Sequence, residues 1–311
     1  MALADTPDSY GRRGWFARRA PLFTLGAVPP PALILLGIVS VQVGAGLAKN
    51  LFDRLPPNGV VLLRLLTSAI VLGFLARRVL RTVLRDHSRG DLAVVAGFGL
   101  TLALMNFSIY QAMARIPLGV AVTIEFLGPL AVAIVASRRR VDLVWAALAL
   151  LGVLLLARAG GDVTYIGIGF ALLAGLCWAG YIMFSVATGQ RFAGSTGLAI
   201  ASIIGTAAML PAGVASGGTA LLTPELLLIG VGVGLLSSVI PYSLELEALR
   251  RVPARVFGIL MSLEPAVAAL VGLVILGEVL SAREWAAIGC VIIACVGSTR
   301  GEKDRPTAPE G

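Results

Sequence analysis

Histidine and cysteine are scarce in this chain, and charge is thin. His87 is the single histidine among 311 residues and lies in a charged stretch, which excludes histidine-based triads and multi-histidine metal sites. The three cysteines, Cys177, Cys290 and Cys295, fall inside apolar runs, so they offer neither a disulfide framework nor metal-ligand spacing and read as small packing residues. Charged residues are 14% of the chain, against about 25% in soluble domains, while hydrophobic residues reach 58%. So few charges cannot cover that much apolar surface in water, and the solvent must be a bilayer. The 37 glycines never stand before a lysine-serine pair after a strand, so no phosphate-cradling loop and no ATP hydrolysis is expected. Paired aspartates are also missing from the apolar runs, which removes the usual basis for an intramembrane enzyme.

What is present is a succession of apolar runs of roughly 20 residues, the length that crosses a hydrocarbon core about 30 Å thick. They begin near Pro31, Asn58, Leu92, Pro117, Leu143, Ile166, Thr196, Pro224, Pro253 and Leu280. The expected fold is therefore an all-α integral membrane protein of ten transmembrane helices. The first run follows Arg12, Arg13, Arg18 and Arg19 but lacks a small-x-small cleavage site, so it reads as a retained span. With the N-terminus in the cytoplasm, 19 of the 25 lysines and arginines fall on the inner side, including Arg77 to Arg89 and Arg138 to Arg140. The net charge of +8 is thus a topological signal, and no basic stripe interleaved with aromatics points to nucleic acid.

Sliding the chain against itself by 136 residues sets Ala112, Arg115, Pro117, Val120, Pro129 and Ala133 on Ala248, Arg251, Pro253, Val256, Pro265 and Ala269. Chance likeness between apolar helices competes with this reading, yet both prolines coincide. Two copies of five spans each must enter the membrane in opposite senses, an inverted repeat around a central cavity. The expected divisions are an arginine-rich cytoplasmic segment 1–30, five-helix repeats 31–160 and 161–299, and a cytoplasmic tail 300–311.

Glu125 lies deep in the fourth run, where a carboxylate facing lipid would cost about 2.5–3.5 kcal/mol or more. Four residues on, Pro129 has no N–H to give, which frees the carbonyl of Glu125 for substrate or water. Pro265 does the same for Met261, which the repeat aligns with Glu125, and Glu264 stands beside that second opening. A packing role is the plainer alternative for both glutamates. Arg64, in the second run, suits a carboxylate partner of either the protein or a substrate. Gln42, Asn106, Tyr110, Trp178, Tyr181, Tyr242 and Ser262 complete the candidate path, although tyrosine and tryptophan also serve as interfacial anchors.

Several stretches carry a specific resemblance: SVQVGAGLAKNLF from Ser40, the block from Ile116 to Trp145, CWAGY from Cys177, and Ile240 to Glu278 with its terminal LGE. Through them the chain resembles the EamA family of the drug/metabolite transporter superfamily over nearly its full length. The resemblance implies ten helices in two inverted halves, location in a bacterial inner membrane, and export of small amino acids of the threonine and homoserine kind. No cofactor is implied. The expected partners are a small polar amino acid, protons and lipid, with a homodimer left open. In the expected mechanism, Glu125 with Glu264 alternates between a substrate ammonium and a proton, while Arg64 steadies the substrate carboxylate. A broader exporter of drugs or polar metabolites and an uncoupled channel are the competing readings.

Overall fold

The computed structural model describes residues 28–80, 87–136, 141–157, 163–192, 196–249, 251–252 and 254–300. The arginines at 12, 13, 18 and 19, the triplet 138–140, Arg158, Pro253 and the tail from 301 lie outside the described residues. Within them the chain is helical throughout, as a hydrocarbon solvent demands: each backbone N–H and C=O must be satisfied inside its own segment.

The helices are α1 (Pro30–Asn50), α2 (Pro57–Leu80), α3 (Arg89–Met113), α4 (Leu118–Glu125), α5 (Leu127–Ala136), α6 (Asp142–Ala157), α7 (Tyr165–Gly189), α8 (Thr196–Gly217), α9 (Pro224–Gly234), α10 (Ile240–Leu249), α11 (Ala254–Met261), α12 (Glu264–Leu276) and α13 (Ala282–Arg300). A π-helical segment, Leu235–Val239, joins α9 to α10. Among the described residues eight helical segments are long and apolar enough to cross a membrane, and Asp142–Leu156 is a shorter apolar helix. The protein is thus a multi-pass, all-α membrane protein.

Local chemistry sets the ends. Pro30 and Pro224 open α1 and α9, where a missing N–H costs nothing. The third apolar run begins near Leu92, but α3 starts at Arg89, because Ser88 and Asp91 form a reciprocal capping box. Gly277, at φ +68°, closes α12 in the left-handed conformation that glycine adopts without steric cost.

Large apolar side chains such as Phe74, Leu176, Met183, Leu228 and Val274 point outward and form the lipid-facing surface. Inside, Tyr110, Met113, Leu118 and Ile124 are fully buried at the centre. α3 packs on α7 and α8, α2 on α8 and α9, α1 on α10 and α12, α4 on α12 and α7, and α6 on α13. Small residues make the close approaches possible, as lipid-exposed bundles require. At the tightest, a Cβ on Gly128 would stand 1.9 Å from the carbonyl oxygen of Gly175.

Gly128→Val is therefore expected to lower stability by about 1–3 kcal/mol or more through overpacking against the α7 backbone. Thermal unfolding in detergent micelles measures this. Gly169→Ala, on α7 with open space around its Cβ, should leave the transition unchanged or slightly raised.

Candidate functional site

Two interrupted helices create the site. The fourth apolar run breaks at Phe126, between α4 and α5, and the ninth breaks at Ser262 and Leu263, between α11 and α12. Pro129 and Pro265 stand just beyond these breaks, where each lacks the N–H that would continue the ladder. Glu125 ends α4 and Glu264 begins α12, so the interruptions bring one carboxylate from each into the interior. The freed carbonyl of Glu125 abuts α7: a Cβ on Gly175 would lie 2.8 Å from it.

Between the breaks lies a cavity of about 300 Å³. Of the residues singled out from the sequence, Gln42, Arg64, Asn106, Tyr110, Glu125, Trp178, Tyr181, Tyr242 and Glu264 all line it. They arrive from α1, α2, α3, α4, α7, α10 and α12, and helical spacing explains the pairs: Asn106 and Tyr110 are four apart, Trp178 and Tyr181 three. Ser262 does not join them. It is buried, donates from Oγ to the carbonyl of Ile259 at 2.6 Å, and lines an adjoining, mostly apolar chamber of about 280 Å³ with Pro129. Pro265 is buried away from both chambers' linings.

The polar groups are tied down on one side and free on the other. Gln42 Nε2 donates to Glu264 Oε1 at 2.8 Å, whereas Glu264 Oε2 and Gln42 Oε1 are buried without partners. Arg64 does not bond either carboxylate. One of its terminal nitrogens approaches the Tyr110 hydroxyl at 3.5 Å, the other donates to the Ser237 carbonyl at 3.2 Å, and its carbon lies 5.6 Å from the Tyr110 ring centre. Its Nε is buried and unpaired. Asn106 gives its amide hydrogen to the Leu102 carbonyl at 2.8 Å and leaves Oδ1 unpaired. The hydroxyls of Tyr181 and Tyr242 meet at 3.3 Å, and Trp178 stands edge-on to Phe126 with centroids 4.9 Å apart. Unpaired buried donors and acceptors are costly in a dry interior, so this set has hydrogen-bonding capacity that the protein itself does not fill. Among the described residues no cluster of histidine, cysteine, aspartate or glutamate is placed to hold a metal ion.

Glu245 also lines the cavity and was missed by the sequence reading. The signal was there: it follows Tyr242 by three residues, the spacing that puts both on one face of α10.

A bundle of membrane-crossing helices enclosing a charged, solute-sized cavity is the build of a transporter rather than an enzyme. The comparisons agree, and the chain belongs to the EamA-like transporter family, whose profile matches residues 165–300. Over 274 residues it is 40% identical to the threonine/homoserine exporter RhtA of Escherichia coli (strain K12), covering 87% of this chain and 91% of that protein. The protein of the same name from Salmonella typhimurium (strain LT2) is 40% identical over 277 residues, with the same coverage. A crystal structure described only as that of a protein superposes with a TM-score of 0.58 at 18% identity over 88% of this chain and 99% of that one, a likeness of fold alone.

Gln42→Leu removes the one donor to Glu264 among the described residues and strands a buried carboxyl group. A loss of about 1–3 kcal/mol is expected, seen as a lower melting temperature in detergent. The double variant Gln42→Leu with Glu264→Leu should recover part of it, since both partners are then apolar.

Proposed function

We propose that this protein exports small amino acids of the threonine and homoserine kind across a bacterial inner membrane, by proton-coupled alternating access. The observation that carries the reading is the cavity itself, where one guanidinium and three carboxylates face a space of about 300 Å³ and Arg64 Nε and Glu264 Oε2 are buried without partners. Arg64 receives the substrate carboxylate and Glu125 with Glu264 receives the ammonium. A proton takes the ammonium's place on the return, which couples export to the gradient. The names of the relatives support the substrate class.

Alternating access requires two halves that rock against each other, here 31–160 and 161–299 with both termini cytoplasmic and ten transmembrane helices, two of them interrupted. Several observations support the inverted pair. Shifting α4, Leu118–Glu125, by 136 residues lands on the bounds of α11, Ala254–Met261. Exchanging the halves also exchanges the main packing contacts: α3 on α7 becomes α9–α10 on α1, while α2 on α8 and α6 on α13 map onto themselves.

The two faces differ at one pair of matched positions. At the end where α1 finishes, Glu278 bonds Lys49 at 2.6 Å and accepts the N–H of Leu118 at 2.8 Å, while Lys49 also donates to the carbonyl of Ile116 at 2.7 Å. That latch caps α4 and ties it to α1 and to the loop after α12. Its counterpart 136 residues earlier is Asp142, which is 3% exposed with both carboxylate oxygens unpaired. On this reading the latch is made on the outer face and unmade on the inner one, an inward-facing state, and Asp142 caps the start of α11 at Ala254 when the inner face closes.

Purified protein in proteoliposomes with Glu125→Gln should lose homoserine-driven proton flux at least about tenfold, as expected when the only exchangeable charge at that position is removed. Undiminished flux removes Glu125 from the mechanism. For the inner latch, cysteines at Asp142 and Ala254, with Cys177, Cys290 and Cys295 replaced by serine, should be bridged by a short thiol cross-linker during turnover. Bridging should halt export until the link is reduced, and absence of any cross-link with substrate present would overturn the inner closure.

A further inference from the structure

The cavity holds more carboxyl groups than a neutral amino acid can match. Its charged lining, among the described residues, is Arg64 against Glu125, Glu245 and Glu264. A zwitterion offers one carboxylate, which Arg64 takes, and one ammonium, which Glu125 and Glu264 share. Glu245 is left over. It accepts no hydrogen bond among the described residues, and it is only half-buried, so its carboxyl group is open to the cavity.

The position of Glu245 is set by α1. A Cβ on Gly37 would lie 3.6 Å from its Cγ and 3.7 Å from its Oε1, so the carboxylate rests against α1 at that level. Five residues further along the same helix, Gln42 holds Glu264. At 1.5 Å per residue the two levels are about 7.5 Å apart along the axis. A flexible aliphatic stem ending in an ammonium, of the kind lysine carries, spans such a gap.

From this placement, and resting on the reading of this cavity as the substrate site, we infer that Glu245 is a specificity-determining residue that admits amino acids with a cationic side chain, its carboxylate receiving the side-chain ammonium while Glu125, Glu264 and Arg64 hold the α-ammonium and α-carboxylate. Ornithine and lysine are the substrates of that class, and norvaline and norleucine are their uncharged counterparts. Neutral short substrates leave Glu245 empty of a protein or substrate cation.

The test uses the purified full-length protein in two assays: ligand-induced shift of the melting temperature in detergent, and competition with labelled homoserine during counterflow in proteoliposomes. Ornithine should bind at least about tenfold more tightly than norvaline, the ratio expected for one charge-assisted hydrogen bond in a dry site. Glu245→Gln should collapse that ratio toward one, and Glu245→Asp, which keeps the charge, should retain most of it. Equal binding of ornithine and norvaline by the unsubstituted protein overturns the inference, whether or not Glu245→Gln folds. So does a ratio that survives in Glu245→Gln. If homoserine produces neither shift nor flux while ornithine stabilises the protein and Glu245→Gln abolishes the effect, the export of threonine-like substrates fails and the role of Glu245 stands. If homoserine is transported and ornithine has no effect, the reverse holds.

Discussion

A polar group at mid-bilayer depth must find its partner within the protein, because hydrocarbon offers none. Every unusual feature of this chain follows from how that demand is met at two places. The fourth and ninth apolar runs give up part of their ladders beside Pro129 and Pro265, and the turns they open are set inside the bundle rather than against lipid. One carboxylate comes from each opening, and neither is neutralised by the protein: Glu264 has a single amide donor in Gln42, and Arg64 is engaged with Tyr110 and Ser237 instead. The unmet polarity is concentrated where a solute fits.

Close packing and latching divide the labour around that site. Glycine contacts such as Gly128 on Gly175 bind α5 to α7 backbone to backbone, leaving little room for either to slide. The ties through Lys49 and Glu278 are of another kind, long side chains and one helix cap, which separate and re-form without repacking a core. Rigid joints within the moving parts and polar, reversible joints at their ends are what a rocking mechanism needs.

Much of this was legible in the residues. Apolar runs locate the helix starts to within a few positions because hydrocarbon thickness fixes their length, and the largest offset, at Arg89, comes from a capping box that starts α3 ahead of its apolar stretch. Glu125, Glu264 and Arg64 stood out since charge inside such a run is expensive, and the structure brings all three to one cavity. Ser262 went elsewhere because a serine at a broken turn satisfies itself on the local backbone, a choice that spacing does not reveal. The partner of Arg64 was missed although the residues offered it: Pro241, four positions after Ser237, has no N–H to give, which frees the Ser237 carbonyl that accepts from Arg64. Glu245 escaped notice for a third reason, lying close to charged neighbours at the end of its run, where an acid resembles a solvated one.

The π-helical segment, Leu235–Val239, has a consequence for how the chain tolerates changes of length. A π turn accommodates one residue more than an α turn, so it absorbs an extra residue while α9 and α10 keep their facing. Loss of one residue from this segment would regularise the helix and leave Tyr242 and Glu245 aimed as before. Loss of one residue between Tyr242 and Glu245 would instead turn Glu245 by about 100° around the axis relative to Tyr242 and present a different wall to the solute. Among relatives, gaps in alignment over these few positions are therefore compatible with a common specificity, and gaps a turn later mark a changed one.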